Sequence, residues 1–347
     1  MEFNAKAIAQ LEKLLVDSES ILLLTHKNPD GDALGSLLAL YLILDHAGKK
    51  VTPACLDPAP KNLRYLPAAE KIVNDFDVKE FDLLIVLDCG DPHQTGFDQD
   101  KPELFRPSGQ VARQIIKIDH HQMASDFGDV QIIHPEMCAT SSILTRLFER
   151  FGVPISPDVA TCLLTGISTD TGSFRHSNTK PGTLRLAAKL LRLGANNALI
   201  AKNIYRSTPL SALKLWGNVL QSLRQTKDGV TLAVAQKKDF DETDARTEDL
   251  AGVVDYVNAV PNAKFSILLS ERNGLVKASM RTQHPDADVA KIASAFGGGG
   301  HVKAAGFAVP GKLEREVRWR VVRPDDRDQG TRPSSAEADS GGQAENS

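Results

Sequence analysis

Residues 21–48 read ILLLTHKNPDGDALGSLLALYLILDHAG and join a short apolar run to a long one through a polar turn. The run at 21–26 has the aliphatic composition of a buried strand. Residues 32–48 are apolar on nearly all sides and end at Gly48, which is typical of a buried helix. Similar β-type runs follow at 51–56, 83–90, 115–121 and 130–135. Strands that alternate with helical patterns predict an α/β fold, with a mostly parallel sheet and helices on both faces.

The second half of the chain changes to consecutive helices and then to a smaller domain. Residues 140–152 and 157–169 predict two helices. Thr140 or Ser141 is the expected N-terminal cap of the first. The helical pattern then continues over 182–224. The later predicted elements are strands at 230–236, 264–270, 275–283 and 307–310 and a helix over 286–298.

These patterns divide the chain into four predicted regions. They are an N-terminal domain (1–190), a helical linker (191–225), a smaller mixed α/β C-terminal domain (226–312) and a tail (313–347). The tail is mostly polar and rich in Gly, Ser and Pro, and therefore predicts disorder.

Composition limits the class of protein. The chain has 347 residues and a net charge of −3, which argues against a protein that coats long nucleic acid but allows a small anionic ligand in a basic pocket. The four cysteines are scattered and form no CxxC pair. With no leader peptide and no membrane-spanning run recognisable, we expect a cytoplasmic protein with reduced thiols and no membrane partner.

The polar turn after the first strand contains His26, Asp30 and Asp32. Ligands of open α/β sheets bind beyond the carboxyl ends of the strands, so this turn is well placed for a site. Taken alone, a helix cap with solvated loop charges explains it equally well. The pattern recurs, however, at the ends of later predicted elements: Asp88, Asp119, His120, His121 and Asp170.

So many converging carboxylates would repel one another, and divalent cations remove that repulsion. Carboxylate and imidazole ligands without thiolate favour Mn²⁺, with Mg²⁺ or Co²⁺ as substitutes and Zn²⁺ less favoured. There are more candidate ligands than one ion needs. Two ions about 3.5–4 Å apart would use them, as in metal pairs that hydrolyse phosphoesters.

The ordered motifs resemble those of the DHH phosphoesterase family. They are HxNPDxDxxGS from His26, VLDCGD around Asp88, the triplet 119–121, and STDTG around Asp170. GGGGHVKAAG at 297–306 resembles the signature of the family's DHH-associated C-terminal domain. The resemblance covers roughly residues 10–310. TGSFRHSNT (171–179) resembles the nanoRNase branch, whose members hydrolyse short oligoribonucleotides and 3′-phosphoadenosine 5′-phosphate (pAp).

The resemblance implies a ligand set for each ion. The first Mn²⁺ is assigned His26, Asp30 and Asp88. The second is assigned Asp32, Asp88, His120 and Asp170, so that Asp88 bridges. His121 is implied to face the substrate as a catalytic residue together with Asp88. Neighbouring residues of a strand point to opposite faces, so we expect only His120 of the pair to bind metal and Asp119 to orient a histidine from the second shell.

The C-terminal signature implies a phosphate site. Its expected contacts are Gly298, Gly299, Gly300, His301 and Arg281, with Arg175 from the N-terminal domain. We expect the segment after the glycines, HVKAAG, to begin a short helix whose N-terminus favours phosphate. A flexible loop is the commoner explanation of a glycine run, and a surface salt bridge that of either arginine. Arg206 and Lys303 are weaker candidates.

The implied function is Mn²⁺-dependent hydrolysis of short oligoribonucleotides to mononucleotides and of pAp to AMP. A cyclic di-AMP or pApA phosphodiesterase is the nearest alternative, and a non-catalytic nucleotide sensor is a second. Exopolyphosphatase or pyrophosphatase activity is less favoured, and an interaction protein would rest only on the tail. The family is often dimeric, although the sequence reveals no interface.

Overall fold

The computed structural model describes residues 3–105, 113–121, 125–206, 208–250, 252–272, 274–314 and 316, without the side chains of Arg272 and His301. The chain forms two compact units, Met1–Thr208 and Pro209–Ser347. Most of the predicted tail lies outside the described residues, so its disorder stays a prediction. Among the described residues, no helix has the length and apolar character needed to cross a bilayer.

The N-terminal unit contains a parallel sheet, as the sequence predicts. Its strands are β1 (Ser20–Leu24), β2 (Lys50–Ala54), β3 (Leu83–Leu87), β4 (Gln114–Asp119) and β5 (Val130–Ile133). They lie in the order β2-β1-β3-β4-β5, and each neighbouring pair is parallel. The α-helices of this unit are α1 (Ala5–Asp17), α2 (Gly31–His46), α3 (Pro92–Thr95), α4 (Thr140–Arg150), α5 (Pro157–Asp170), α6 (Pro181–Arg192) and α7 (Asn197–Ile200). Short 3₁₀ turns lie at Ala69–Lys71, Val78–Glu80 and Pro102–Phe105, and a π-helical turn lies at Ala201–Tyr205.

Alternate residues of the strands pack into two different cores, because side chains of a strand point to opposite faces. Ile21 and Leu23 of β1 pack into the core that contains α1, α2, α4 and α5. Leu22 and Leu24 pack on the other face, where the covering segments are short turns and loops. The predicted parallel sheet with helices is confirmed; among the described residues, the long helices lie on one face and short turns and loops on the other. The helix α1, capped by the side chain of Asn4, is missing from the sequence prediction.

Helices α2 and α5 approach each other closely because both carry glycine at their contact. A Cβ atom on Gly35 would lie 2.5 Å from the Cys162 carbonyl oxygen and 3.1 Å from the Gly166 nitrogen. A Cβ atom on Gly166 would lie 2.5 Å from Asp32 Oδ1. The two backbones therefore touch directly, and the space at Gly166 is filled by the side chains of Ser141 and Asp32.

The C-terminal unit is a mixed α/β domain. Its strands are β6 (Arg224–Gln225), β7 (Val230–Ala235), β8 (Phe265–Arg272), β9 (Leu275–Arg281), β10 (Gly299–His301) and β11 (Ala304–Pro310). Their order is β10-β11-β9-β8-β7-β6, and only the β7–β8 pair is parallel. Its helices are α8 (Leu210–Gln221), α9 (Lys237–Thr243), α10 (Val253–Val257) and α11 (Val289–Ser294), with a 3₁₀ turn at Thr247–Leu250.

The prediction of a helix after the glycine run is wrong. Residues 299–301 and 304–310 form an antiparallel hairpin in which Gly300 pairs with Ala305. Glycine is a poor helix former, whereas Ala304 and Ala305 gain partners by pairing with β9. The preceding helix also ends at Ser294, earlier than the sequence suggests. A phosphate at this segment would therefore meet strand and turn backbone, with no helix N-terminus behind it.

Candidate metal centre

Three neighbouring strands of the N-terminal sheet deliver polar side chains to one edge. β1, β3 and β4 lie side by side and parallel, so their carboxyl ends meet. His26 comes two residues after β1, and Asp88 and His120 directly follow β3 and β4. This is the edge at which α/β sheets bind ligands.

Two helix ends complete the cluster. Asp30 is the N-cap of α2, and its Oδ1 accepts from the backbone nitrogens of Asp32 (2.9 Å) and Ala33 (3.0 Å). The helix cap that the sequence allowed therefore exists, yet Asp30 Oδ2 takes part in neither bond. Asp32 lies in the first turn of α2, and Asp170 is the last residue of α5. The close packing of α2 on α5 brings these two carboxylates to the same place.

Asp88 occupies the centre of the cluster in an unusual backbone conformation. Its φ angle is +54°, in the left-handed region that non-glycine residues seldom adopt, and its side chain is only 3% exposed. Asp88 Oδ2 lies 3.8 Å from His26 Nε2, whereas Oδ1 lies 3.6 Å from His120 Nε2 and 3.9 Å from His121 Nδ1. The two oxygens thus face two different groups of side chains, as a bridging carboxylate requires.

The described residues contain three groups whose ligand atoms lie within 4.8 Å of one another. They are His26–Asp30–Asp88, Asp32–His120–Asp170 and Asp88–His120–His121. The first group has the residues of the first expected ligand set, and the second has three of the four residues of the second set, without Asp88; the assignment of ligands stays a prediction. The third brings both histidines near Asp88, so the expectation that only His120 binds metal stays a prediction.

The electrostatics of the cluster fit a cation. Burial, reinforced by the neighbouring carboxylates, raises the pKa of Asp88 well above its ordinary value. Burial and the charge of Asp32 raise the pKa of Asp170 to about 8, and burial also raises the pKa of Asp32. Buried carboxylates of this kind are stabilised in their charged form by a metal ion. The donor set, oxygen and imidazole nitrogen only, suits a hard or borderline divalent ion.

The adjacent histidines have opposite electrostatic environments. Burial lowers the pKa of His120, which favours the neutral imidazole that a metal ligand must be. The hydrogen bond to Asp119 raises the pKa of His121. Asp119 Oδ1 accepts from His121 Nδ1 at 2.7 Å and from the His121 amide at 3.2 Å. Burial alone would raise the pKa of Asp119, but this bonding to His121 lowers it.

The sequence prediction differs from the structure at two features around the metal centre, the cap of α4 and a buried lysine. The N-cap position of α4 is Ala139, which has no capping side chain, so the expectation of Thr140 or Ser141 is wrong. Both residues lie inside the helix, next to the carboxylates. Lys117 is fully buried in β4, and its Nζ donates to the carbonyls of Gly90 (2.9 Å) and Ser125 (3.0 Å). The sequence signal for this buried charge is a lysine within the otherwise apolar run 115–118.

The predicted substrate contacts are distributed over both units, with Arg175 in the first and the others in the second. Arg175 is exposed in the loop after α5, and its Nε donates to the Gly172 carbonyl at 2.8 Å. Arg281 ends β9 opposite Ala304. A Cβ atom on Gly299 would have nothing within 4 Å, whereas Gly300 has a φ of +141° that requires glycine. The His301 side chain lies outside the described residues, and the roles of all these residues stay predictions.

The weaker candidates are engaged or exposed. Lys303 Nζ donates to the carbonyl oxygens of His284 and Pro285 (3.2 Å for Pro285). Arg206 is exposed after the π-helical turn. Neither observation strengthens a substrate role.

Comparisons with known proteins agree with the motifs. A family model described as the DHH family, N-terminal domain, matches residues 20–167, and a DHHA1 domain model matches residues 228–318. The bifunctional oligoribonuclease and PAP phosphatase NrnA of Thermus thermophilus is 33% identical, over 93% of this chain and 96% of that protein. The cyclic-di-AMP phosphodiesterase PdeA of Listeria monocytogenes is 26% identical over 87% of this chain but 47% of its own length.

A solved structure has the same architecture. The exopolyphosphatase-related protein of Bacteroides fragilis superimposes with a TM-score of 0.80 at 28% identity, covering 91% of this chain and 93% of that one. The fold expected from the sequence is therefore confirmed over nearly its whole length.

Proposed function

Because the chain belongs to the DHH family and carries a DHHA1 domain, we propose that it hydrolyses short oligoribonucleotides to mononucleotides and pAp to AMP. Membership of this family makes it a metal-dependent hydrolase. The observation that carries the proposal is the convergence of histidines and aspartates around Asp88. The similarity to an oligoribonuclease and PAP phosphatase over 93% of the chain supports the choice of substrates.

We assign one metal ion to His26, Asp30 and Asp88 and the other to Asp32, Asp88, His120 and Asp170, so that both sets would use Asp88. When bound, divalent cations supply Lewis-acid polarisation of the phosphate and lower the pKa of the attacking water. Mn²⁺ is the proposed metal, because these groups contain carboxylate and imidazole ligands and no cysteine.

His121 is the proposed proton donor of the reaction. Its side chain is 38% exposed, so a substrate can reach it, and Asp119 fixes its Nδ1. With Asp119 ionised, the proton shared at Nδ1 stays on the ring, and Nε2 is left for the substrate. The hydrogen bond to Asp119 raises the pKa of His121, which favours the protonated ring, the form that donates to a phosphate oxygen or leaving group.

The remaining substrate contacts are proposed from the family motifs. Arg281 and the backbone at 298–300 would bind a phosphate of the nucleotide, and His301 would add a side-chain contact. The open space at Gly299 supports this assignment, because a ligand can approach the bare backbone there. Arg175, five residues after Asp170, would meet a phosphate at the metal centre.

A substrate panel with Mn²⁺ tests the proposal. The panel contains pAp, RNAs of two to five residues, long RNA, cyclic di-AMP and pyrophosphate. We expect turnover of pAp and the short RNAs, and little of the others. Turnover of cyclic di-AMP alone would favour the alternative that the similarity to PdeA supports, and would leave the metal assignment intact. Metal binding without any turnover would indicate a nucleotide sensor.

A further inference from the structure

We propose that Thr140, the first residue of α4, is a positioning residue that fixes the orientation of Asp88 for metal binding. The inference rests on the metal centre of the proposed function and not on its substrates. Thr140 contacts the cluster in two ways, through its hydroxyl and through its backbone nitrogen. The hydroxyl carries the proposal, because the backbone bond is independent of the side chain.

The hydroxyl acts on the central carboxylate. Thr140 Oγ1 donates to Asp88 Oδ1 at 3.0 Å, and both side chains are buried, at 0% and 3% exposure. The Asp88 carboxylate can rotate about its side-chain bonds. The hydrogen bond from Thr140 holds Oδ1 on the side of His120. Oδ2 is thereby left facing His26, at 3.8 Å from its Nε2. The hydrogen bond thus sets which oxygen serves which group of ligands.

The backbone of the same residue serves another purpose. The Thr140 nitrogen donates to Asp32 Oδ2 at 2.6 Å, and the Ser141 nitrogen donates to Asp32 Oδ1 at 3.0 Å. Asp32 therefore caps α4 from another helix, in place of the capping side chain that Ala139 lacks. Removing the Thr140 hydroxyl leaves these backbone bonds unchanged. Helix capping and the orientation of Asp88 can therefore be separated by one substitution.

The test compares Mn²⁺ binding by variants of the metal-free full chain, measured by isothermal titration calorimetry and by Mn²⁺ electron paramagnetic resonance. Thr140→Val removes the hydroxyl at nearly constant volume, whereas Thr140→Ser retains the hydroxyl and removes the methyl group. Thr145→Val is the matched control, since the buried Thr145 hydroxyl donates within α4 to the Ser141 carbonyl at 2.7 Å. Thr140→Ala provides a second hydroxyl-free variant if valine prevents folding.

We expect Thr140→Val and Thr140→Ala to lose about 10–100-fold in Mn²⁺ affinity, the usual effect of removing an outer-shell partner. Thr140→Ser and Thr145→Val should bind within about threefold of the wild type. Wild-type affinity in Thr140→Val, or equal losses in the serine and valine variants, would overturn the proposal. A wild-type chain that binds Mn²⁺ but cleaves neither pAp nor short RNA would overturn the proposed function and leave this inference standing.

Discussion

Replacing Asp119 with asparagine tests whether His121 depends on its buried partner. Asp119 is fully buried, and its Oδ1 accepts from His121 Nδ1 at 2.7 Å. Asparagine keeps the shape of the side chain but removes the negative charge. A hydrogen bond to a charged group contributes about 1.5–3 kcal/mol, and the 38% exposure of His121 favours the lower end. A loss of about 1.5 kcal/mol corresponds to about a tenfold fall in kcat.

Stability must be measured beside activity for this variant. Asp119 Oδ2 is buried and has no hydrogen-bond partner among the described residues. An asparagine NH₂ at that position would lack an acceptor, which costs about 1–3 kcal/mol in the free energy of unfolding. The assays are kcat on pAp at saturating Mn²⁺, Mn²⁺ affinity by calorimetry, and urea unfolding.

The expected pattern is a lower kcat with Mn²⁺ affinity unchanged. Asp129→Asn serves as the control, because Asp129 also accepts a backbone hydrogen bond, from the Ile115 nitrogen at 2.8 Å, but is not one of the clustered ligands. Wild-type kcat in Asp119→Asn would refute the role given to the Asp119–His121 pair. A parallel fall in Mn²⁺ affinity would show instead that the pair contributes to metal binding.

Three further predictions concern the cluster and the glycine segment. Asp88→Asn should reduce kcat at least about 10³-fold and weaken binding of both ions, which calorimetry with metal analysis measures, because both oxygens face ligand groups. In EDTA, the contribution of Asp170 to the free energy of unfolding should fall as the pH rises from 3.8 to about 8, because the folded state keeps the Asp170 proton that the unfolded state releases. Urea titrations of the wild type and of Asp170→Asn should show this contribution as a difference in slope between the two. Gly299→Ala should fold normally and raise KM for pAp. Gly217→Ala, also in open space, should leave KM unchanged. Equal KM values in the two variants would count against a phosphate at residue 299.

The sequence predicts the sheet and the convergence of ligands because both follow from local patterns. Apolar runs give the strands, and parallel strands bring their carboxyl ends to one edge, so Asp88 and His120 were expected together. The bond from Thr140 to Asp32 joins residues 108 positions apart, and no local pattern indicates it. The expected cap at Thr140 or Ser141 was wrong for that reason. A carboxylate from another helix took its place.

Two further differences have the same origin. The run 297–306 looks like a loop that leads into a helix, but the pairing of β11 with β9 is long-range and makes it a hairpin. Lys117 breaks an otherwise apolar strand, and its charge is accommodated only because carbonyls from two separate loops and the Phe127 ring, 4.2 Å from Nζ, surround it. The sequence cannot indicate these partners, because they come together only in the folded protein.

The glycine contact between α2 and α5 has a consequence for how this protein can vary. Asp32 and Asp170 lie on two helices whose spacing is set by contacts between backbone atoms. A side-chain substitution elsewhere cannot change the size of these atoms. Repacking of the apolar core should therefore leave the spacing of these carboxylates almost constant, whereas a single methyl group at Gly35 would wedge the helices apart. Directed evolution toward new phosphoesters has freedom in exposed loop residues such as Arg175. Gly35 and Gly166 are the positions at which a library should admit no change.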